Sequence, residues 1–128
     1  MQPHRQPAAD PVPHVSVADA AARQADGSGS LLVDVRERDE LVELRPLDAV
    51  LLPMSELPAR LDELPTDRPL MLICRSGARS GRVAAFLLQQ GFADVANVDG
   101  GMLAWHAARL PTRSGPLDPA EETVPTAR

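Results

Sequence analysis

Short apolar runs alternate along the chain with segments whose apolar residues recur every three or four positions. Four runs, at residues 31–35, 49–52, 70–73 and 95–98, contain almost no polar residues. Runs of this length without polar alternation are typical of strands that are buried on both faces. We therefore predict four buried strands, the first of which carries Asp34 near its carboxyl end.

The segments between these runs have the start and stop signals of helices. Helices are predicted at residues 16–25, 39–44, 55–64, 80–90 and 102–110. Ser16 and Ser55 are suited to cap the first and third helices. Gly91 and Pro111 follow the last two and are typical of helix ends. Because Pro58 lacks an amide hydrogen, it must occupy the first turn of the third helix or kink it.

Strands that alternate with helices predict an α/β domain with a mainly parallel, buried sheet. Ligands of such sheets bind beyond the carboxyl ends of the strands. Cys74 directly follows one predicted strand, and Asp34 lies near the end of another. We therefore expect both residues near the functional site.

The two ends of the chain differ in composition from the middle. Residues 1–13 contain four prolines without a periodic pattern, and residues 112–128 combine proline, glycine and mixed charge with little apolar surface. Segments of this composition bury too little to fold by themselves. We expect a flexible N-terminal tail at 1–13, one domain at 14–111 and a flexible C-terminal tail at 112–128.

Composition excludes several classes of protein. The single cysteine rules out an intramolecular disulfide framework and fits a reducing compartment. A net charge of −5 and three aromatic residues in all argue against a nucleic-acid partner. No apolar run approaches the ~20 residues of a membrane span, and the N-terminus lacks the apolar core of a secretion signal. We expect a cytoplasmic protein without nucleic-acid or membrane partners.

The segment around Cys74 carries the clearest chemistry. The loop CRSGAR, at residues 74–79, follows a strand and leads into a helix near Ser80. Its small residues allow several backbone N–H groups to face one anion, and the helix start adds a positive dipole end. With Arg75 and Arg79 nearby, the sequence predicts a lowered Cys74 pKa and a reactive thiolate. The alternative is a cysteine that only packs at the strand end.

Three motifs, in this order, resemble the rhodanese (thiosulfate sulfurtransferase) domain family. They are LLVDVRERDEL at 31–41, CRSGARSGRVAAFLLQQGF at 74–92 and NVDGGMLAWHAARLP at 97–111. The resemblance extends from about residue 15 to residue 111. It implies a mainly parallel five-stranded sheet flanked by helices on both faces.

The resemblance also implies roles for individual residues. Cys74 matches the family's nucleophile, and the loop that holds its persulfide corresponds to Arg75, Ser76, Gly77, Ala78 and Arg79. Supporting positions are matched by Asp34 and Arg36 of the DVR signature and by Gly100, Gly101 and Trp105 at the last helix. Without the resemblance, residues 36–40 are interpreted as a solvated segment of mixed charge.

One segment departs from the family pattern. Where the family usually has G-H-I-P-G-A, residues 44–49 read LRPLDA. The missing His and Gly leave the conformation of this loop open. Arg45 is interpreted as a solvated side chain or, alternatively, as additional charge near the site.

Loop length separates the candidate reactions. Cys74 and Arg79 form a C-x4-R pattern, whereas the phosphatases and arsenate reductases that resemble this family have C-x5-R. The shorter loop favours a sulfur atom over a tetrahedral oxyanion. The hypothesis is a sulfurtransferase that moves sulfane sulfur from an anionic donor such as thiosulfate, through a Cys74 persulfide, to cyanide or a thiol, without a cofactor. The alternative is a module with little turnover of its own, which is either a carrier that receives persulfide sulfur from a protein partner or a regulatory binding module.

The remaining candidates are weaker. His4, His14 and His106 have no clustered spacing, so no metal site is expected. His106 follows Trp105 and is interpreted as a helix-surface residue or as one that borders the pocket. The pair Asp62-Glu63 is interpreted as a solvated helix face.

Overall fold

A five-stranded parallel sheet forms the centre of the domain in the computed structural model, which describes residues 12–125. Its strands are β1 (His14–Val15), β2 (Leu31–Asp34), β4 (Val50–Leu51), β5 (Leu70–Ile73) and β6 (Val95–Val98). They lie in the order β1-β6-β5-β2-β4, and every pairing is parallel. Two further strands, β3 (Arg45–Pro46) and β7 (Thr112–Arg113), form a separate antiparallel pair. The predicted mainly parallel five-stranded sheet is confirmed.

Helices cover both faces of the sheet, as predicted. They are α1 (Val17–Arg23), α2 (Arg38–Glu43), α3 (Leu57–Arg60), α4 (Ala78–Gln89) and α5 (Gly101–Ala107). Side chains of alternate strand residues enter two separate cores. Leu72 packs in the core that includes α3 and α4, and Ile73 packs in the core that includes α1, α2 and α5. Among the described residues, no helix is both long and apolar enough to cross a membrane.

The elements agree with the sequence pattern where apolar runs are fully buried. β5 and β6 lie at the predicted residues, and all eight of their side chains are buried. Ser16 caps α1 by accepting a 3.0 Å hydrogen bond from the Asp19 N–H group. β1, with two residues that follow Pro13, was not predicted because it is too short to show a pattern.

The predicted helix at 55–64 is wrong in both its start and its length. Ser55 does not cap it, because its hydroxyl donates to Glu37 at 2.7 Å. Two 3-10 turns, Met54–Glu56 and Leu61–Glu63, instead flank the four residues of α3. Pro58 lies in the first turn of α3, which is one of the two positions that the sequence allowed.

Residues 112–125 pack against the domain rather than forming the C-terminal tail expected from composition. β7 pairs with β3, Val124 is buried, and the Leu51 N–H group donates to the Glu121 carbonyl at 2.8 Å. Backbone hydrogen bonds and a buried ion pair, rather than a large apolar surface, hold this segment. Of the predicted N-terminal tail, residues 1–11 lie outside the described residues, whereas Val12 is buried.

Arg45 is the residue that fixes the C-terminal segment. It is fully buried, so its interpretation as a solvated side chain is wrong. Its guanidinium donates to the Glu121 carboxylate at 2.7 and 2.9 Å and to the Leu41, Gly115 and Pro116 carbonyls. These partners use the donors of the guanidinium within the fold, so Arg45 contributes to structure and not to the surroundings of the thiol.

Candidate functional site

Cys74 lies at the carboxyl end of β5, where only 1% of the residue is exposed. The Gly77 N–H group lies 3.1 Å from the Cys74 sulfur, and the Ser80 hydroxyl lies 3.2 Å from it. Gly77 has a φ of +105°, a conformation that favours glycine. This turn brings the loop directly into the start of α4 at Ala78 and aims its N–H group at the sulfur.

The Cys74 thiol is acidified mainly by hydrogen bonds. Burial raises its pKa, but hydrogen bonds from the Ser80 side chain and from the backbone of Ser80, Gly77 and Ser76 outweigh burial. The resulting pKa lies below the ordinary value, which is the predicted direction. Full charges contribute less than the sequence suggested, because Arg79 is paired with Glu40 and Arg75 is exposed.

Arg79 forms an ion pair with α2. Its two terminal nitrogens donate to the two Glu40 carboxylate oxygens at 2.7 and 2.8 Å. The hydrogen bonds from Arg79 lower the Glu40 pKa to about 2. This pair connects the first turn of α4 to α2 and largely neutralises the charge of Arg79.

Asp34 and Arg36 form a buried ion pair at the end of β2. Asp34 is fully buried, Arg36 is 6% exposed, and their closest side-chain contact is 2.9 Å. Burial raises the Asp34 pKa, and the hydrogen bonds from Arg36 oppose that rise. Arg36 also donates to the Leu44 carbonyl at 2.7 Å. The interpretation of Arg36 as solvated is therefore wrong, and the pair fixes the backbone from which α2 begins.

The start of α5 supports the Cys74 loop from below. The Met102 and Leu103 N–H groups donate to the Cys74 and Arg75 carbonyls at 2.8 and 3.1 Å. Gly101 has a φ of +55°, and a Cβ atom there would lie 2.4 Å from the Cys74 carbonyl oxygen. Glycine is therefore required, both for its conformation and for this close approach.

Trp105 does not reach the loop. It is fully buried in the core on the α1, α2 and α5 face, and its indole nitrogen donates to the Pro111 carbonyl at 2.9 Å. Its support of the site is therefore indirect, through the packing of α5.

Ser80 and Asn97 are site residues that the sequence reasoning missed. Ser80 is fully buried, and Asn97 on β6 is 4% exposed. The Ser80 hydroxyl lies 2.6 Å from the Asn97 side-chain oxygen, and the Asn97 amide donates to the Gly77 carbonyl at 3.2 Å. A signal existed, because Asn97 interrupts an apolar strand, and a buried polar side chain requires partners.

A cleft of about 230 Å³ adjoins the loop. It lies between α2 and α5 and is lined by Arg36, Glu40, Glu43, Leu44, Arg75, Met102, Leu103 and His106. Arg75 is exposed. His106 borders this cleft, which agrees with the second of its two interpretations, a residue at the edge of the pocket. A larger groove, of about 840 Å³, lies at the amino ends of β5 and β6, and none of its lining residues belongs to the loop. Among the described residues, no group of three or more His, Cys, Asp or Glu side chains could hold a metal ion.

Comparison with known proteins gives consistent relatives. A family profile described as "Rhodanese-like domain" matches residues 16–108. A "Sulfurtransferase" of Allochromatium vinosum is 45% identical over 89 residues, which cover 70% of this chain and 83% of that protein. "Thiosulfate sulfurtransferase GlpE" of Vibrio cholerae is 32% identical over 98 residues, which cover 77% of this chain and 92% of that protein.

A solved structure agrees with these sequence matches. The crystal structure of a rhodanese-related protein from Thermoplasma volcanium aligns with a TM-score of 0.72 at 28% identity, covering 79% of this chain and 97% of that chain. The region matched by the family profile, residues 16–108, contains β2, β4, β5 and β6, the Cys74 loop and the Gly101 turn that contacts it. The chain therefore belongs to the rhodanese-like domain family.

Proposed function

We propose that this protein is a sulfurtransferase in which the Cys74 thiolate accepts a sulfane sulfur atom and passes it to a second thiophile. The observation that carries the proposal is the buried, hydrogen-bonded sulfur at the end of β5, whose pKa is lowered. A thiolate of this kind is the nucleophilic form of cysteine. Relatives named as sulfurtransferases support the same chemistry.

The proposed reaction has two half-reactions. The Cys74 thiolate attacks the outer sulfur of thiosulfate, the new S–S bond forms, and the S–S bond of the donor breaks as sulfite leaves with its electron pair. Cyanide or a thiolate then attacks the outer sulfur of the persulfide, and the Cys74 thiolate leaves. No oxidant or cofactor is needed, because each step exchanges one nucleophile for another.

The site residues have distinct proposed roles in these steps. The Gly77 N–H group and the Ser80 hydroxyl stabilise the Cys74 thiolate as the attacking and the leaving group. Ser76, Ala78 and the remaining loop backbone surround the outer sulfur. Arg75, exposed at the cleft, attracts the anionic donor. The relative named thiosulfate sulfurtransferase supports thiosulfate as that donor.

A sulfur carrier is the second candidate, and one observation favours it. Leu103 is 51% exposed and lines the cleft together with Arg75 of the loop, whereas Cys74 itself is 1% exposed. An exposed apolar side chain beside a cleft suits the apolar centre of an interface with a protein partner that delivers or removes sulfur. Both functions use the Cys74 persulfide, and both need a reduced thiol, so we propose the reducing cytoplasm as the compartment.

The mass of the intact protein tests the first half-reaction. Brief incubation with thiosulfate should add one sulfur, about 32 Da, and cyanide should remove it as thiocyanate. Cys74→Ser is the control and should gain nothing while remaining folded. Absence of the mass gain in the wild type, or its presence in the serine variant, would contradict the proposal. A carrier would gain the sulfur from a persulfide-bearing protein and show little steady-state turnover.

A further inference from the structure

The Ser80 hydroxyl lies between two acceptors. Its oxygen is 3.2 Å from the Cys74 sulfur and 2.6 Å from the Asn97 side-chain oxygen. A serine hydroxyl has one proton to donate, so it serves only one of them at a time. Because Ser80 is fully buried and Asn97 is 4% exposed, bulk water does not replace the missing bond.

We propose that Asn97 is a positioning residue of sulfur transfer, whose side-chain oxygen competes with the Cys74 sulfur for the single proton of Ser80. The inference rests on the proposed function. It concerns the free energy of the Cys74 thiolate relative to that of the Cys74 persulfide. It is carried by the three-residue geometry of Cys74, Ser80 and Asn97.

Two arrangements of the hydrogen bonds follow from this geometry. When Cys74 is a thiol, its S–H group donates to Ser80, and Ser80 donates to Asn97, so every group has a partner. When Cys74 is a thiolate, Ser80 turns its proton to the sulfur, and the Asn97 oxygen loses its donor. A buried acceptor without a donor is costly. Asn97 therefore opposes the thiolate, whereas Ser80 and Gly77 favour it.

The persulfide restores the first arrangement. Its negative charge lies on the outer sulfur, so the inner Cys74 sulfur no longer needs the Ser80 proton, and Ser80 donates to Asn97 again. Asn97 thus favours the loaded protein over the unloaded thiolate. It also keeps the thiolate basic enough to attack well, because the nucleophilicity of a thiolate falls with its basicity.

Two substitutions of similar size separate this role from simple structural support. Asn97→Leu removes the acceptor and leaves the Ser80 proton to the sulfur, so alkylation of Cys74 should begin at lower pH. Asn97→Asp provides a stronger acceptor and a negative charge, so alkylation should begin at higher pH. Both variants lose the hydrogen bond to the Gly77 carbonyl, and a purely structural role would shift both in one direction.

The charged side chains of the loop and of the elements packed against it are the same in every variant. They are the pairs Arg79–Glu40, Asp34–Arg36 and His14–Asp99, together with Arg75, Arg82 and His106. Ser80→Ala removes the shared donor and should raise the alkylation midpoint. In the Ser80→Ala background, Asn97→Leu should then have no further effect on that midpoint.

The experiment is the pH dependence of iodoacetamide alkylation of Cys74 in the five proteins. We expect Asn97→Leu to lower the alkylation midpoint and Asn97→Asp to raise it. In the Ser80→Ala background, we expect Asn97→Leu to leave the midpoint unchanged. The inference would be overturned if both Asn97 variants moved the alkylation midpoint in the same direction. It would also be overturned if Asn97→Leu moved the midpoint as far in the Ser80→Ala background as it does in the wild type. If Asn97→Leu does not fold, a raised midpoint in Asn97→Asp is still required.

Sulfur loading supplies a second measurement. Above the alkylation midpoint, a tenfold more acidic Cys74 in Asn97→Leu should attack thiosulfate about threefold more slowly and release its sulfur to cyanide faster. Loading rates equal to the wild type, at a clearly lowered midpoint, would contradict the role in transfer. Alkylation does not require sulfur transfer, so failure of the proposed function would leave the midpoint test valid.

Discussion

Cys74 is controlled at the scale of single residues by short hydrogen bonds more than by full charges. Gly77 and Ser80 contact its sulfur directly, whereas Arg79 is engaged with Glu40 and Arg75 is exposed at the cleft. The two loop arginines therefore have different consequences when they are removed, although the sequence assigns them the same role.

Arg75→Ala should weaken the use of thiosulfate without changing the acidity of Cys74. In the proposed reaction Arg75 attracts the anionic donor from the cleft, and it is not among the groups that donate to the Cys74 sulfur. Loss of about 1 kcal/mol of attraction corresponds to a roughly fivefold lower kcat/KM for thiosulfate. Arg82→Ala removes an equal charge from the exposed side of α4 and is the control. Equal effects of both substitutions would assign the loss to overall charge.

Arg79→Met should remove a contribution to stability that depends on pH. The Glu40 pKa is lowered to about 2 from 4.5. The contribution is therefore complete above the unfolded value and is lost as pH falls towards 2. For a partly exposed pair we expect the substitution to lower the free energy of unfolding in urea by about 1 kcal/mol at pH 6. The difference between wild type and variant should shrink at pH 3, and Glu40→Gln should behave in the same way. A difference that stays constant with pH would contradict this account.

Two elements, the Cys74 loop and the start of α5, form one unit at the next scale. The α5 N–H groups bind the loop carbonyls, and Gly101 allows the two backbones to come into contact. Packing of α5 therefore controls where the sulfur and its donors lie.

Gly101→Ala should distort this unit. A Cβ atom at Gly101 would lie 2.4 Å from the Cys74 carbonyl oxygen and 2.6 Å from that of Arg75. Gly27→Ala is the matched control, because Gly27 also has positive φ but no atom within 4 Å of the added Cβ. Gly27→Ala should lower the free energy of unfolding by about 1–2 kcal/mol, from backbone strain alone. Gly101→Ala should cost more in urea unfolding and also lose most persulfide formation. Equal losses of stability, with sulfur loading retained, would contradict the close approach.

Elements of this fold are predictable from the sequence where the local pattern determines the structure. β5 and β6 are continuous apolar runs with both faces buried, and the Cys74 loop joins a strand to a helix within a few residues. Contacts between residues that are distant in the sequence are not predictable in this way. Arg45 and Glu121 are 76 residues apart, and nothing near either residue indicates that one neutralises the other. Ser80 and Asn97 were missed for the same reason, because their roles depend on contact between α4 and β6.

At the scale of the whole molecule, residues 112–125 close the edge of the sheet. β4 is an edge strand, and the Glu121 carbonyl accepts from its Leu51 N–H group. Exposed edge strands invite pairing with other chains, and a covered edge prevents this. The buried Arg45–Glu121 pair holds this cover in place.

Glu121→Gln should destabilise the fold strongly. It leaves the buried Arg45 guanidinium without its counter-ion, which costs about 3–5 kcal/mol for a pair of this burial. Glu122→Gln is the control, because Glu122 pairs with Arg38 at the surface and should cost below about 1 kcal/mol. Urea unfolding at neutral pH measures both. The hydrogen bonds from Arg45 lower the Glu121 pKa. The difference in free energy of unfolding between the two variants should therefore become smaller as pH falls below the ordinary range of a carboxyl group. Similar small losses in both variants would contradict the role of the pair.

The burial of a single thiol also determines which oxidation products Cys74 can form. Cys74 is the only cysteine in the sequence and is 1% exposed. A sulfenic acid formed on it by peroxide has no second thiol in the chain with which to close a disulfide, and the covered sulfur keeps the Cys74 residues of two copies apart. Oxidation therefore proceeds to the irreversible sulfinic acid unless a small thiol reaches the sulfur first. In the proposed reaction a sulfane sulfur bound to Cys74 occupies the position that the first oxygen would take. The persulfide would then be the form of the protein in which the Cys74 sulfur itself is shielded from such damage.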